Sequence, residues 1–111
     1  MSSIPTGEVA DVLEQAADLI ETVGWIQGSE EQRDNGIVIG YCAIGAMRAV
    51  NCGILSATEH ALGNWLWGLP NHVIIHRGVA NWNDQPGRRA AEVIDAMKSC
   101  AKDLRNEAVP S

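Results

Sequence analysis

The chain has 111 residues, 46% of them apolar, and a formal net charge of −6. That length suits one domain with a modest core, and the apolar content argues against a disordered or membrane-embedded chain. The negative charge argues against a protein that binds a nucleic-acid backbone. No apolar run approaches the roughly 20 residues of a membrane-spanning helix, and the N-terminus carries no secretory-signal pattern. We therefore expect one cytoplasmic domain over 1–111, with an ordered core of about 6–105.

Apolar residues at helical spacing predict a first helix over 8–24, with Thr6 as N-cap and Gly24 as its stop. Residues 1–32 contain seven acidic residues and no Lys or Arg. Two interpretations stay open. The acids form a solvated helix face, or they form an acidic surface that mimics nucleic acid and binds a basic partner.

The polar residues 25–35 predict a loop, and the β-branched GIVIG at 36–40 predicts a short strand. A second helix follows over 41–50. One of its faces carries only small side chains, which favours close approach of another helix and supports a homodimer as an option. That face consists of Cys42, Gly45, Ala46 and Ala49.

A third helix is predicted over 56–67, because Ser56 and Glu59 form a capping-box pattern and Gly68 is a stop signal. The connection 69–88 contains HVIIH at 72–76, a second strand candidate that would pair with 36–40. A last helix covers about 89–105. The predicted fold class is mainly α, a single-domain bundle of about four helices with room for a short β-hairpin.

Cys42 is the candidate nucleophile, because the start of a helix favours a thiolate. His76 is the histidine that would serve as its base in a small cysteine hydrolase. The alternative is a packed apolar thiol. His72 and His76 have a spacing found in zinc sites, yet no further ligand pair accompanies them, so we expect no metal and no cofactor. Three cysteines without a CxxC pair predict reduced thiols.

Two tryptophans are candidates for binding a partner, because tryptophan is enriched in interface hot spots. Trp67 follows Trp65 by two residues and must point to another helix face, and Trp82 lies in a polar turn. In one interpretation Trp82 pins this turn to the core while Asn83 and Asp84 bond nearby backbone. In the other, Cys42, Trp82, Asn83, Asp84 and Arg88 line one pocket.

Four stretches in order resemble a family of small uncharacterised proteins of actinobacteriophages and actinobacterial genomes. They are GWIQG at 24–28, YCAIGA at 41–46, NWNDQPGR at 81–88 and AAEVIDAM at 90–97. The resemblance implies an intracellular phage or prophage accessory protein with no assigned activity. Arg89 stands where the family has a threonine that caps the last helix, so Asn83 or Asp84 would cap it instead, or Arg88 and Arg89 would form a basic spot.

The first functional hypothesis is therefore a non-enzymatic accessory protein that binds a host protein or a small signalling molecule. The second is the cysteine hydrolase that uses Cys42 and His76, and the third is an acidic mimic of nucleic acid. No membrane and no direct nucleic-acid partner is expected.

Overall fold

The computed structural model describes residues 6–68 and 78–108. Its elements in chain order are α1 (Thr6–Val23), β1 (Glu31–Asp34), β2 (Ile37–Tyr41), α2 (Ala43–Asn51), α3 (Leu55–Trp67), α4 (Gly78–Asn83) and α5 (Ala90–Ala108), with a 3₁₀ turn at Cys52–Ile54 between α2 and α3. Within these described residues, four longer helices, one short helix and one antiparallel hairpin confirm the predicted fold class.

The helices α1 and α5 make the largest helix pair and run antiparallel. Each buries one apolar stripe against the other, as the periodicity of both segments predicts. Leu13 and Ile20 of α1 and Met97 of α5 are among the largest fully buried side chains. At the surface Arg105 bonds Asp11 at 2.6 Å. The spacing of apolar residues thus positions the scaffold on which the other elements pack.

At Gly45 the small-residue face of α2 lies against a loop, and not against another helix as we predicted. A Cβ atom built on Gly45 would lie 1.8 Å from the carbonyl oxygen of Glu30. The backbone N–H of Cys42 donates to that same oxygen at 3.0 Å. Only glycine at this position therefore allows the chain before β1 to lie directly on the first turn of α2. Ala46 is buried, whereas Ala49 is exposed.

The hairpin β1–β2 corrects the prediction of a loop over 25–35. Its strands are joined by Asn35 and Gly36, whose φ angles of 51° and 82° are those of the two-residue turn that suits hairpin twist. The register pairs Asp34 with Ile37 and Glu31 with Tyr41, with a bulge between Gln32 and Arg33. All four β1 residues are exposed, so β1 carries no apolar alternation from which a strand could be predicted.

The start of α3 differs from the prediction, since Leu55 and not Ser56 opens the helix. Ile54 occupies the cap position without a side-chain hydrogen bond. The 3₁₀ turn Cys52–Ile54 runs directly into α3, so helical conformation begins before the α-helix does. The predicted capping box therefore does not form. The predicted stop is confirmed, as the N–H of Gly68 donates to the carbonyl of Trp65 at 3.3 Å.

The connection after α3 includes the short helix α4, which the turn-rich sequence did not predict. The strand candidate 72–76 lies outside the described residues. Within 6–68 and 78–108, no helix is both long and apolar enough to cross a membrane.

Candidate functional site

Asn83, the last residue of α4, is fully buried and joins three separate parts of the chain. Its Oδ1 accepts the indole N–H of Trp25 at 2.7 Å and the backbone N–H of Ala43 at 3.0 Å. Its Nδ2 donates to the carbonyl of Ile26 at 3.2 Å and to Oδ1 of Asp84 at 3.0 Å. An Asn side chain has two donors and an acceptor oxygen with two lone pairs, so all of its capacity is used. We call these five residues the Asn83 hub.

The segment after Trp25 is held to the end of α4 by side-chain to backbone bonds. The amide nitrogen of Gln27 donates to the carbonyls of Asn83 at 3.0 Å and Gln85 at 2.9 Å. The backbone N–H of Gly28 donates to Oδ1 of Asp84 at 3.0 Å. The stretches GWIQG and NWNDQPGR therefore bind each other directly, over more than 50 intervening residues.

Arg88 lies over the Trp82 ring, and all of its guanidinium nitrogens donate hydrogen bonds. Its guanidinium carbon lies 4.3 Å from the centre of the Trp82 ring. Its nitrogens donate to the carbonyl of Trp82 at 2.9 Å, to Gln85 at 2.8 Å and to Glu92 at 3.1 Å. Only 15% of the side chain is exposed. Arg88 therefore closes the turn before α5 and does not form the basic spot considered for it.

The turn after α4 also shows how α5 begins. The backbone N–H of Arg89 donates to Oε1 of Glu92 at 2.9 Å, which is one half of a capping box. Asn83 and Asp84 are held by the chain around residues 26–28, so the prediction that either caps α5 is wrong. The same bonds correct the prediction that Asn83 and Asp84 bond nearby backbone, because their backbone partners are distant in sequence.

Cys42 is the N-cap of α2, and its sulfur accepts the backbone N–H of Gly45 at 3.3 Å. The side chain is buried, with 6% of its surface exposed. Burial raises the pKa of the Cys42 thiol; hydrogen bonds from the N–H groups of Gly45 and Ile44 act in the opposite direction and are outweighed. The expectation that the helix start lowers this pKa is therefore wrong, because desolvation of a thiolate exceeds the stabilisation by two amides.

A cleft of about 200 Å³ opens beside Cys42. Its lining combines a stretch of chain before β1, a thiol, two apolar residues and an acid just after α4. The lining residues are Gly28, Ser29, Glu30, Cys42, Ile44, Ala80 and Asp84. Oδ1 of Asp84 accepts from Asn83 and from Gly28, and the Glu30 carboxylate is paired with Arg48 at 2.6 Å. The lining therefore includes two apolar residues and two acids whose carboxylates have defined partners.

The structure brings together some of the sequence-predicted site residues and separates others. Cys42 and Asp84 share the cleft, whereas Asn83 lies buried behind it and Trp82 packs under Arg88. Trp67 is 46% exposed at the end of α3. His76 lies outside the described residues, so its relation to Cys42 stays a prediction. Among the described residues no group of three His, Cys, Asp or Glu side chains could hold a metal ion.

Sequence reasoning missed three participants in this site. Trp25 and Gln27 stand in the quoted stretch GWIQG but were not assigned roles, and Glu30 was counted only as one of the acids. The Asn83 hub could not be found from spacing, since three of its four bonds join residues 40 to 58 positions apart.

Comparison with known proteins identifies a family whose function is unknown. The model of a family of unknown function, DUF6197, matches residues 5–103. No curated protein and no solved structure matches the chain.

Proposed function

The chain belongs to the DUF6197 family of unknown function, and from that premise we propose that it is a non-enzymatic accessory protein, encoded by a phage or prophage, that binds a basic segment of a host protein in the host cytoplasm. The cleft beside Cys42 would receive one Lys or Arg side chain of that partner. The observation that carries the proposal is that Asp84 and Glu30 line the same cleft as the apolar Ile44 and Ala80.

The shape and chemistry of the cleft suit a long basic side chain. Ile44 and Ala80 offer contact to the aliphatic stem, and the carboxylate of Asp84 attracts the charged head, while that of Glu30 is shared with Arg48. Pockets for whole small molecules have volumes of about 300–1,000 Å³. A cleft of about 200 Å³ is smaller, which favours a single side chain over a signalling molecule.

The environment of Cys42 supports binding over catalysis. A nucleophilic cysteine acts as the thiolate, and burial here raises the pKa of the thiol. The sulfur instead caps α2 and forms part of the cleft wall. These observations favour the accessory protein over the hydrolase that would use Cys42 and His76.

Several acids of α1 are paired with basic residues of α5, which argues against the hypothesis that they mimic nucleic acid. Arg105 pairs with Asp11 and Glu14, and Lys98 of α5 pairs with Glu21 at 3.3 Å. A partner that reads phosphate-like charge would have to compete with these cations. Glu30 is likewise paired with Arg48, whereas Asp84 accepts hydrogen bonds from Asn83 and Gly28 and forms no ion pair among the described residues, so Asp84 is the better candidate for recognition.

The test compares partner capture by two isosteric variants. Asp84→Asn removes the charge from the cleft, and Asp18→Asn makes the same change on exposed α1 outside the cleft. Each immobilised protein is exposed to lysate of an actinobacterial host, and captured proteins are mapped by cross-linking mass spectrometry. We expect cross-links near 28–30 with wild type and Asp18→Asn, and their loss with Asp84→Asn.

Capture should also weaken as salt rises, because the contact is between charges of opposite sign. Equal capture by Asp84→Asn and wild type, or a partner cross-linked only at other surfaces, contradicts the proposal. A small molecule retained by the wild-type protein in native mass spectrometry would favour the signalling-ligand alternative.

A further inference from the structure

The hairpin β1–β2 has two large apolar side chains that are exposed to solvent. Ile37 is 69% exposed and Ile39 is 44% exposed. Together with Trp67 they are the large exposed hydrophobics of the described residues. Two neighbouring isoleucines on a two-stranded ribbon contribute little to the core, so their exposure calls for another explanation.

The isoleucines lie on the strand that leads directly into the cleft. β2 ends at Tyr41, and the next residue, Cys42, is part of the cleft wall. Glu30, another lining residue, immediately precedes β1. At about 3.3 Å per strand residue, Ile39 lies roughly 10 Å from Cys42 along the chain. A short extended segment of a partner could therefore contact both places at once.

The charge around the isoleucines has the same sign as that of the cleft. Residues 30–41 contain three carboxylates and one guanidinium, a net charge of −2. Arg33 is paired with Glu31 at 2.9 Å, and Arg48 of α2 with Glu30 at 2.6 Å; counting Arg48 reduces the net charge to −1 and does not reverse its sign. Asp84 adds a further carboxylate at the cleft. The surface is thus an apolar pair rimmed by acids, which complements a segment that carries both basic and apolar residues.

We propose that the hairpin and the cleft form one docking surface for an extended protein segment in which an apolar residue lies about three to five positions from a Lys or Arg. The basic side chain enters the cleft, and the apolar side chain covers Ile37 and Ile39. This proposal rests on the proposed function, since it names the partner segment for the same cleft.

The experiment uses synthetic peptides of about nine residues on the full-length protein. One peptide carries a single Arg in a Gly/Ser background, a second carries a single Leu, and a third carries Arg and Leu four positions apart. Binding is followed by amide correlation NMR, which measures weak affinities and locates the contact. We expect the third peptide to bind about tenfold more tightly than the Arg peptide, and to shift the amides of both 28–30 and 37–39.

Two variants assign the contributions. Ile37→Ser/Ile39→Ser should remove the gain from Leu and leave the Arg peptide bound as before. Asp84→Asn should weaken both Arg-containing peptides by the same factor, and Asp18→Asn should change neither. Because the isoleucines are exposed, their double variant should unfold at the wild-type temperature, which confirms that the fold is intact.

The two proposals fail in different ways. If Leu gives no gain on the wild-type protein, or the full gain persists in Ile37→Ser/Ile39→Ser, the docking surface is wrong while the cleft proposal stands. If Arg contributes nothing and Asp84→Asn binds like wild type, the cleft proposal is wrong. If no peptide shifts any amide of 28–30 or 37–39, both proposals are overturned.

Discussion

At the scale of single residues, Asn83 is a buried polar side chain whose hydrogen bonds hold distant parts of the chain together. Its side chain satisfies Trp25 and Ala43 through one oxygen and Ile26 through its nitrogen. Removing one partner of a buried hydrogen bond leaves the other desolvated and unpaired, at about 1–3 kcal/mol for each group. The residue therefore stabilises the fold chiefly by preventing several such losses at once.

Asn83→Ala should lower the free energy of unfolding by about 3 kcal/mol, because it leaves the Trp25 indole and the Ala43 N–H without their acceptor. Urea unfolding followed by tryptophan fluorescence measures the change. The matched control is Asn81→Ala, an exposed asparagine on the same helix, for which we expect less than about 0.5 kcal/mol. Equal effects at the two positions would contradict the role of the hub.

The reactivity of the three cysteines tests the environment of Cys42. Since burial raises its pKa, less thiolate is present at any given pH than in the unfolded chain. Alkylation of Cys42 in the folded protein should be slow, and its rate should still be rising at a pH where that of the urea-unfolded chain has levelled off. Exposed Cys52 should react first, and buried Cys100 slowly. Rapid labelling of Cys42 below neutral pH, read by mass spectrometry, would instead indicate an activated thiolate.

At the scale of secondary-structure elements, the hairpin depends on its turn. Gly36 adopts a φ of 82°, a region that a β-branched residue enters only with strain of about 1–3 kcal/mol. Gly36→Val should therefore loosen β1 from β2, which amide exchange over 31–41 will report as lost protection. Gly36→Asn is the control, because asparagine tolerates this conformation and should keep the hairpin. Identical exchange in the two variants would show that the turn does not determine the pairing.

The same elements show what the sequence could and could not predict. The long helices were predictable, because each buries an apolar stripe whose spacing is visible in the residues themselves. β1 was missed because EQRD is exposed on both faces, although Asn35-Gly36 is a strong hairpin signal that could have revealed it. The small residues of α2 were recognised as a close-packing face, but their neighbour was not. Whether a helix or the backbone of Glu30 lies on Gly45 depends on tertiary structure.

The candidate site residues also divide into those that the sequence could identify and those that only the fold reveals. Asp84 and Cys42 were identified and do share the cleft, since each has chemistry that stands out in a sequence. Glu30 looked like any other acid, and only the fold over Gly45 brings it there. Trp82 and Arg88 are binding candidates from the sequence, yet in the structure they contact each other and close a turn.

At the scale of the whole molecule, the apolar contact between α1 and α5 outweighs their surface ion pairs. Arg105 bonds Asp11 and Glu14, but all three side chains are more than a third exposed, and such pairs contribute about 0–1 kcal/mol. Arg105→Ala should therefore lower the free energy of unfolding by less than about 1 kcal/mol, and by less still in about 0.5 M NaCl. Leu104→Ala, one residue earlier and buried, should lower it by about 2–4 kcal/mol at either salt concentration. Urea unfolding at both salt concentrations distinguishes them, and a larger, salt-sensitive loss for Arg105→Ala would show that electrostatics dominates this helix pair.

The Asn83 hub also bears on how the protein folds. Three of its four bonds close loops of 40 to 58 residues, and such closures gain their contacts only after much of the chain has been ordered. Each helix by itself forms through local contacts and needs no such closure. We therefore expect Asn83→Ala to accelerate unfolding while leaving the refolding rate almost unchanged in stopped-flow experiments. A chain that has formed its helices but not this junction would then hold no cleft, so binding activity would appear only in the last step of folding.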